Sequence, residues 1–453
     1  MRAIVIGASV AGLLAARALS DFAESVTLID RDAPPDSPTP RKGVPQGRHV
    51  HGVLAGGFDA LRSFFPGIDG DLVADGSWLA DTARDVLYFN NGSWRMRCKI
   101  GIVGCVQTRP LLELHIRRRV AKLPNVREML GCSVDGLAFD ASKSRITGVR
   151  IAEGGQQKTL DADFVVDCSG RGSRTPAWLA EAGIGKPSET VITVNVGYST
   201  RLFRISSAKN LPWRAMLILN RPPHCTRLGA SFFVESGELL VTLGGLFRDY
   251  PPDDDAGFLK FAANLEHPEL FQAIQDAEPA SPIATYRFPA HVWHHYDRLK
   301  NLPPNLLVLG DALCSFNPIY GQGMTVAALE ARALHRCFAS SALRANAALL
   351  RDRYFREAVG IVKSAWTIAT GADLAYPQAE GARPFGQGMV LRYLNHIMGL
   401  TCYDKKVLTT WNELTNMQRP LSALFAPSMA ARVMRRSIAG GPAPNSAVPN
   451  TAS

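Results

Sequence analysis

Two short stretches hold residue types whose spacing suits them to binding an anion. In LLVLGDALCSFNPIYGQGMTVAALEA, residues 306–331, an apolar run ends in Gly310-Asp311, and a loop rich in proline and glycine then opens into a helix-like segment. A helix start presents unpaired N–H groups and the positive end of the peptide dipoles. Residues 318–324 can therefore hold a polyanion, or stabilise negative charge developing on a neighbouring ring system. The other stretch opens the chain. Residues 2–7 read as an apolar strand, Gly7-Ala8-Ser9-Val10-Ala11-Gly12 as a tight turn, 13–20 as a helix, and 26–29 as a second strand that delivers Asp30. Glycines in such a turn let backbone approach a pyrophosphate, and an acid about twenty residues further on accepts hydrogen bonds from ribose hydroxyls. Asp30 favours an adenosine nucleotide with a free 2′-hydroxyl, an inference that the adjacent Arg31 softens. Ser9 stands where the strict pattern has its middle glycine.

Further candidates lie between these stretches. Arg109, in Gln107-Thr108-Arg109-Pro110 at the entrance to a helical segment over 111–121, could reach a pyrophosphate as a planar multidentate donor. The basic run Arg41-Lys42-Gly43-Val44-Pro45-Gln46-Gly47-Arg48-His49-Val50-His51 could contact phosphate or guard a substrate entrance, or be a solvated crossover loop. Over 163–174 another strand delivers an acid, Asp167, to a glycine turn. The eight cysteines are scattered with no Cys-x-x-Cys pair, which points to a reducing compartment and away from a disulfide framework or a structural zinc. No metal site is expected. Cys168 and Cys314 flank the nucleotide-type loops, and a steric role suits them better than a nucleophilic one.

The elements that must position these groups can be outlined. With 453 residues, 46% of them hydrophobic, the chain can bury one large core or two moderate ones. It has no fixed-period repeat and no uninterrupted run of eighteen apolar residues of the kind that spans a bilayer. The apolar N-terminus continues into a second strand, so it reads as the start of a βαβ unit rather than a secretory signal. The net charge of +10 could attract nucleic acid, anionic lipid or acidic substrates. Nucleic acid is disfavoured, because neither Arg117-Arg118-Arg119 nor the group Arg432, Arg435 and Arg436 belongs to an aromatic-laced binding module. The second group follows Leu421, Leu424 and Phe425 and could touch an anionic membrane surface. Asn91-Gly92, between strand-like 86–90 and 94–97, is a type I′ hairpin signal. Residues 190–248 read as antiparallel strands, among them 191–199, 216–220, 231–235 and 239–246. The last third reads as helical, over 332–339, 343–368 and 389–400, before a tail at 441–453 whose composition is that of disorder.

Together GASVAG with Asp30, VVDCSGRGSR, and LVLGDALCSFNPIYGQGM resemble the three FAD-binding signatures of class A flavoprotein monooxygenases, the para-hydroxybenzoate hydroxylase-like superfamily. The resemblance spans about residues 1–345. GVPQGRHVHG and NPIYGQGMTVAALEA look most like bacterial polyether and terpenoid olefin epoxidases. The fold this implies is α/β: a glutathione-reductase-like, Rossmann-like FAD-binding domain in three pieces (1–75, 100–185 and 286–345), a mainly antiparallel-sheet substrate domain (76–99 and 186–285), and C-terminal helices over 346–440. By the same resemblance, Gly7, Ser9 and Gly12 form the dinucleotide turn, Asp30 binds the adenosine ribose, and Arg109 lies near the pyrophosphate; Arg31, next to Asp30, is counted with the cofactor-binding residues. Arg48 would lie near the riboflavin side, Asp167 in a turn that also organises nicotinamide use, and Asp311 at the ribityl chain. Gln322 and Met324 join Pro318, Gly321 and Gly323 in the backbone environment of the isoalloxazine, where oxygen transfer takes place. The implied activity is NADPH- or NADH-driven transfer of one oxygen atom of dioxygen, through a flavin C4a-hydroperoxide, to a hydrophobic alkene or aromatic substrate. Epoxidation in secondary metabolism is favoured over aromatic hydroxylation. A prenyl double-bond reductase and a non-catalytic flavoprotein scaffold stand as alternatives. The expected location is cytoplasmic, with peripheral membrane contact through the C-terminal region. A flavin halogenase is disfavoured because a Trp-x-Trp-x-Ile-Pro segment is missing.

Overall fold

The computed structural model describes residues 1–153, 156–206, 211–439 and 447–449, and the expected tail at 441–453 lies outside them apart from 447–449. A five-stranded sheet runs in the order Leu306–Val308, Phe164–Asp167, Arg2–Ile6, Ser25–Asp30, Val126–Leu130, with every pair parallel. Its central strands Arg2–Ile6, Phe164–Asp167 and Leu306–Val308 are apolar runs rather than alternating ones because helices and the three-stranded antiparallel sheet of Ser133–Phe139, Ile146–Glu153 and Gln156–Asp161 pack against it. Val10–Ser20 and Gly323–Ala339 pack on each other, and Ala347–Asp373 packs behind the second of them. Residues such as Val5, Leu28, Val165 and Leu307 are fully buried in the resulting core.

A nine-stranded, mainly antiparallel sheet forms the second layer. Its path is Cys314–Ser315, Ala284–His295, Ser188–Arg204, Leu239–Gly245, Arg227–Phe233, Ala215–Ile218, Val86–Asn90, Ser93–Trp94, with Glu278–Pro279 paired beside Ser188–Arg204. One pair, Ala215–Ile218 with Val86–Asn90, is parallel. The two-residue turn at the end of this path has positive φ at both Asn91 (52°) and Gly92 (75°), as a type I′ hairpin requires. Its second strand stops at Trp94 rather than running to 97, because the Met96 N–H turns away to donate to Thr401 O in the C-terminal region.

The chain therefore bridges both layers within a few residues. Leaving the parallel sheet at Val308, it turns through Gly310–Ala312, adds Cys314–Ser315 to the second sheet, and returns through Pro318–Tyr320 to the start of helix Gly323–Ala339. Residues 310–324 thus lie where the two sheets meet. Helices Gln387–Leu400, Lys405–Thr415 and Pro427–Ala439 pack on one another through Ile397, Leu400, Val407, Trp411 and Val433. Among the described residues no helix is long and apolar enough to cross a membrane.

Candidate functional site

At the first turn the glycines are sterically obligatory. A Cβ on Gly12 would lie 1.7 Å from Gly7 O, and Gly7 itself has φ +95° with no room for a Cβ beside Cys168 O, 2.5 Å away. The turn is thereby pressed onto the parallel sheet, with the start of helix Val10–Ser20 facing out. Asp30 braces it from the next strand. One carboxylate oxygen accepts the Ala8 N–H (2.6 Å), and the other accepts the Asp32 N–H (2.8 Å). The Ser9 hydroxyl donates to Glu113 (2.9 Å) and accepts from Arg109 Nη2 (3.0 Å). Arg41 joins the same cluster, 3.2 Å from Asp30 and 2.9 Å from Glu113. Arg109 is buried, and its Nε is left without a hydrogen-bond partner at this helix start.

Other expected residues fall in different surroundings. Asp167 is fully buried, and both of its carboxylate oxygens are used by its own turn, accepting from Ser169 N–H, Ser169 Oγ and Ser173 Oγ. Those bonds make it a structural brace. Arg31 and Arg48 are exposed. From the loop after Arg48 it is the imidazoles that turn inward. His49 is buried, its Nδ1 2.7 Å from Thr200 Oγ1, and its pKa is drawn down to about 4 by burial and then by Arg48. His51 is drawn down to about 3, first by burial and next by Arg109.

Asp311 is half-buried at the join between the sheets. Burial pushes its carboxyl above the usual carboxylate range, against the pull of Arg109 and Arg171. A Cβ on Gly323 would meet Asp311 Oδ1 at 3.6 Å, so this acid sits against the start of helix Gly323–Ala339. Gly321 turns the chain with φ +63°, and the buried Gln322 leaves its side-chain carbonyl oxygen unpartnered. Asp311 and residues 318–324 are thus brought together, and Arg109 lies close enough to Asp311 to influence its charge.

The sequence offered no hint of the polar network behind this loop. His291 and Asp373 are wholly buried, and Nε2 of the imidazole lies 2.7 Å from Asp373 Oδ2. The Asn317 N–H donates to His291 Nδ1 (3.2 Å), which leaves Nε2 as the nitrogen that carries the proton. Asp373 also accepts from Asn317 Nδ2 (3.1 Å) and Tyr320 OH (2.6 Å), while Tyr198 OH donates to Asn317 Oδ1 (2.9 Å). One carboxylate at the end of a 27-residue helix therefore fixes both ends of the segment Asn317-Pro318-Ile319-Tyr320.

A cavity of about 780 Å³ opens beside that segment. Its lining is mostly apolar: Leu217, Leu228, Phe232 and Ala230 come from the second sheet, Trp366 and Ile368 from the long helix, and Leu394, Trp411 and Leu424 from the C-terminal helices. His49, His51, Leu54 and Pro318–Tyr320 complete it where the layers meet. Among the described residues no cluster of His, Cys, Asp or Glu is arranged to hold a metal ion.

The chain is 34% identical over 345 residues to Protein Rv3254 of Mycobacterium tuberculosis (strain ATCC 25618 / H37Rv), covering 74% of this chain and 72% of that protein. No protein-family model matches it. Among solved structures, the flavin-dependent brominase Bmp2 superposes with a TM-score of 0.66 at 12% identity, over 97% of this chain and all (100%) of that one. The p-nitrophenol 4-monooxygenase PnpA of Pseudomonas putida DLL-E4 gives 0.63 at 16% identity, over 92% of this chain and 98% of its own. The fold is that of the flavin-dependent monooxygenases and halogenases: a Rossmann-like parallel-sheet domain joined to a sheet-roofed cavity.

Proposed function

This chain belongs to the family of Protein Rv3254 of Mycobacterium tuberculosis, and we propose that it is an FAD-dependent monooxygenase acting on a hydrophobic substrate. One observation carries the reading. The large apolar cavity and the dinucleotide-type turn are separate spaces that approach each other at residues 310–324, where a flat two-ended cofactor would have to pass from one to the other. The residues present fit FAD. Gly7 and Gly12 clear a path for pyrophosphate, and the buried guanidinium of Arg109 has a donor left over for it. Asp30 sits where a ribose would end, while Asp311 and the unpartnered carbonyl of Gln322 stand ready for the ribityl side. Bound FAD, reduced by NADPH or NADH, would supply the activation of dioxygen. The net change is then one oxygen atom into substrate and one into water, with the nicotinamide oxidised.

The chain's own contribution is orientation and exclusion of water. Backbone N–H groups from Gln322 to Met324, at a helix start, would favour negative charge on a ring held against them, while the Gly321 N–H closes the loop onto Pro318 O (3.0 Å). The apolar walls hold an alkene or arene against that face and keep bulk water from competing. Epoxidation of an alkene is the finer reading, because it asks for an apolar pocket at the correct distance and no dedicated base. The lowered pKa values leave His49 and His51 uncharged at neutral pH. A cytoplasmic location accompanies this reading, since the eight cysteines form no disulfide among the described residues. Exposed Phe425 and Met434, near Arg432, Arg435 and Arg436, are where contact with an anionic membrane surface would occur.

The test is anaerobic reduction of the FAD-loaded protein by NADPH and by NADH, then exposure to labelled dioxygen with a panel of polyenes and phenols, followed by product mass analysis. Labelled epoxide or phenol supports the reading. Saturated product without label selects a double-bond reductase, halogenated product in added bromide selects a halogenase, and protein that stays colourless after reconstitution with excess FAD rejects the flavin site itself.

A further inference from the structure

Arg95 stands apart from the other buried arginines. Arg41 lies 2.9 Å from Glu113, Arg117 lies 2.9 Å from Glu128, and Arg109 donates to Ser9. Arg95 is 9% exposed and lines the cavity, yet among the described residues its guanidinium has no carboxylate within ion-pair distance and no hydrogen-bond acceptor. Its neighbours are rings: the guanidinium carbon is 4.6 Å from the centroid of Tyr88 and 5.9 Å from that of Trp411. Aromatic rings attract the cation but accept none of its five in-plane N–H donors. A guanidinium stays charged even when buried, and a buried charge demands a partner. The cavity wall supplies none. Its described lining contains no Asp, Glu or Lys, so Arg95 is its one full charge.

We propose that Arg95 anchors a carboxylate carried by the otherwise apolar substrate. This rests on the monooxygenase reading for what happens to the substrate, though not for what binds. The planar fork matches a carboxylate with two parallel hydrogen bonds, while Tyr88 and Trp411 hold the fork in place. Arg95 follows strand Ser93–Trp94, and Trp411 belongs to helix Lys405–Thr415. The anchor therefore belongs to the wall built from the second sheet and the C-terminal helices, whereas the loop at Pro318–Tyr320 comes from the join between the sheets. An acid tied at Arg95 would leave its apolar chain lying in the rest of the cavity, and the choice of reacting carbon would follow from chain length.

The probes are farnesoic acid, methyl farnesoate and farnesol, which share a polyene chain and differ at the head group. Binding to the FAD-loaded protein is measured by calorimetry and by tryptophan fluorescence, with no nicotinamide present. The acid should bind at least tenfold more tightly than the ester or the alcohol. Arg95→Met should erase that preference while leaving ester binding within about twofold, and Arg95→Lys should keep only part of it. Equal binding of acid and ester by the unchanged protein, no binding of the acid at millimolar concentration, or a preference that survives in Arg95→Met would each overturn the proposal. Should Arg95→Met fail to fold, the unchanged protein and Arg95→Lys decide the matter. Acid preference without any oxygen transfer would reject the monooxygenase reading and keep the anchor, and oxygen transfer without acid preference would do the reverse.

Discussion

Gly12 shows how little freedom single positions leave at the nucleotide turn. With Gly7 O only 1.7 Å from where its Cβ would stand, Gly12→Ala cannot be absorbed by a side-chain shift, because the obstructing atom is backbone. Moving the turn should cost about 1–3 kcal/mol, in the range of overpacked core sites. The expected outcome is a lower thermal midpoint and flavin content below about a tenth of normal, read from the visible spectrum of purified protein; full flavin occupancy would count against the turn as a cofactor cradle. His49 and His51 make a prediction of another kind. Their folded pKa values, about 4 and about 3, lie below the ordinary value of 6.5, so the unfolded chain binds protons that the folded one refuses. Stability is therefore whole above about pH 6.5 and falls as pH drops towards the folded values. For the well-buried His49 the limiting slope is about 1.4 kcal/mol per pH unit. Melting curves from pH 7 to pH 4.5 should show this loss, and His49→Asn should flatten it. An unchanged slope in that variant would refute the assignment.

Between residues and the whole molecule lies the element, and here Asp373 is the most informative group. Its carboxylate ties together helix Ala347–Asp373, strand Ala284–His295 through His291, and the loop through Asn317 and Tyr320. Asp373→Ala would strand two buried donors, on His291 and Asn317, and the half-buried Tyr320 hydroxyl, at a cost of about 3–5 kcal/mol. Tyr320→Phe removes a single hydrogen bond and should cost about 1 kcal/mol. Thermal melts with and without excess FAD check both. If Asp373→Ala lost no more than Tyr320→Phe, the network would not be holding the loop. None of these partners was legible beforehand, because a histidine in a strand, an acid at a helix end and an asparagine before proline become a unit only once residues 82 apart in sequence touch. The strand Ala284–His295 itself was overlooked, since Pro289 and three histidines blur its alternation. By contrast the first βαβ unit and the hairpin at Asn91-Gly92 were readable, because their cues are local: apolar runs, turn glycines and left-handed backbone positions. The positions of Asp30 at the end of a strand and of Asp311 in the turn after another followed from motif spacing, whereas the inward turn of His49 and His51 past an exposed Arg48 depends on packing against Thr200 on the second sheet.

On the proposed reading, cofactor and substrate are held by different layers of the molecule. Gly7 and Asp30 stand at strand ends of the parallel sheet and Gly12 in the helix between them, while Leu217, Leu228, Ala230 and Phe232 stand on the antiparallel sheet, and residues 310–324 join the two. A change confined to the second layer should then separate the two functions. Ala230 is buried in strand Arg227–Phe233, between Leu239–Gly245 and Ala215–Ile218, and lines the cavity. Ala230→Trp would thrust an indole into that space without touching the parallel sheet. Because the cavity of about 780 Å³ is open, the larger side chain meets void rather than packed neighbours, so the cost in stability should stay below about 1.5 kcal/mol. Flavin content and its affinity should remain within about twofold of normal, while binding of long polyenes falls at least tenfold and that of short alkenes falls little. Loss of flavin together with the polyene would mean that the layers are coupled more tightly than this division implies. Undiminished polyene binding would instead place the substrate outside this cavity.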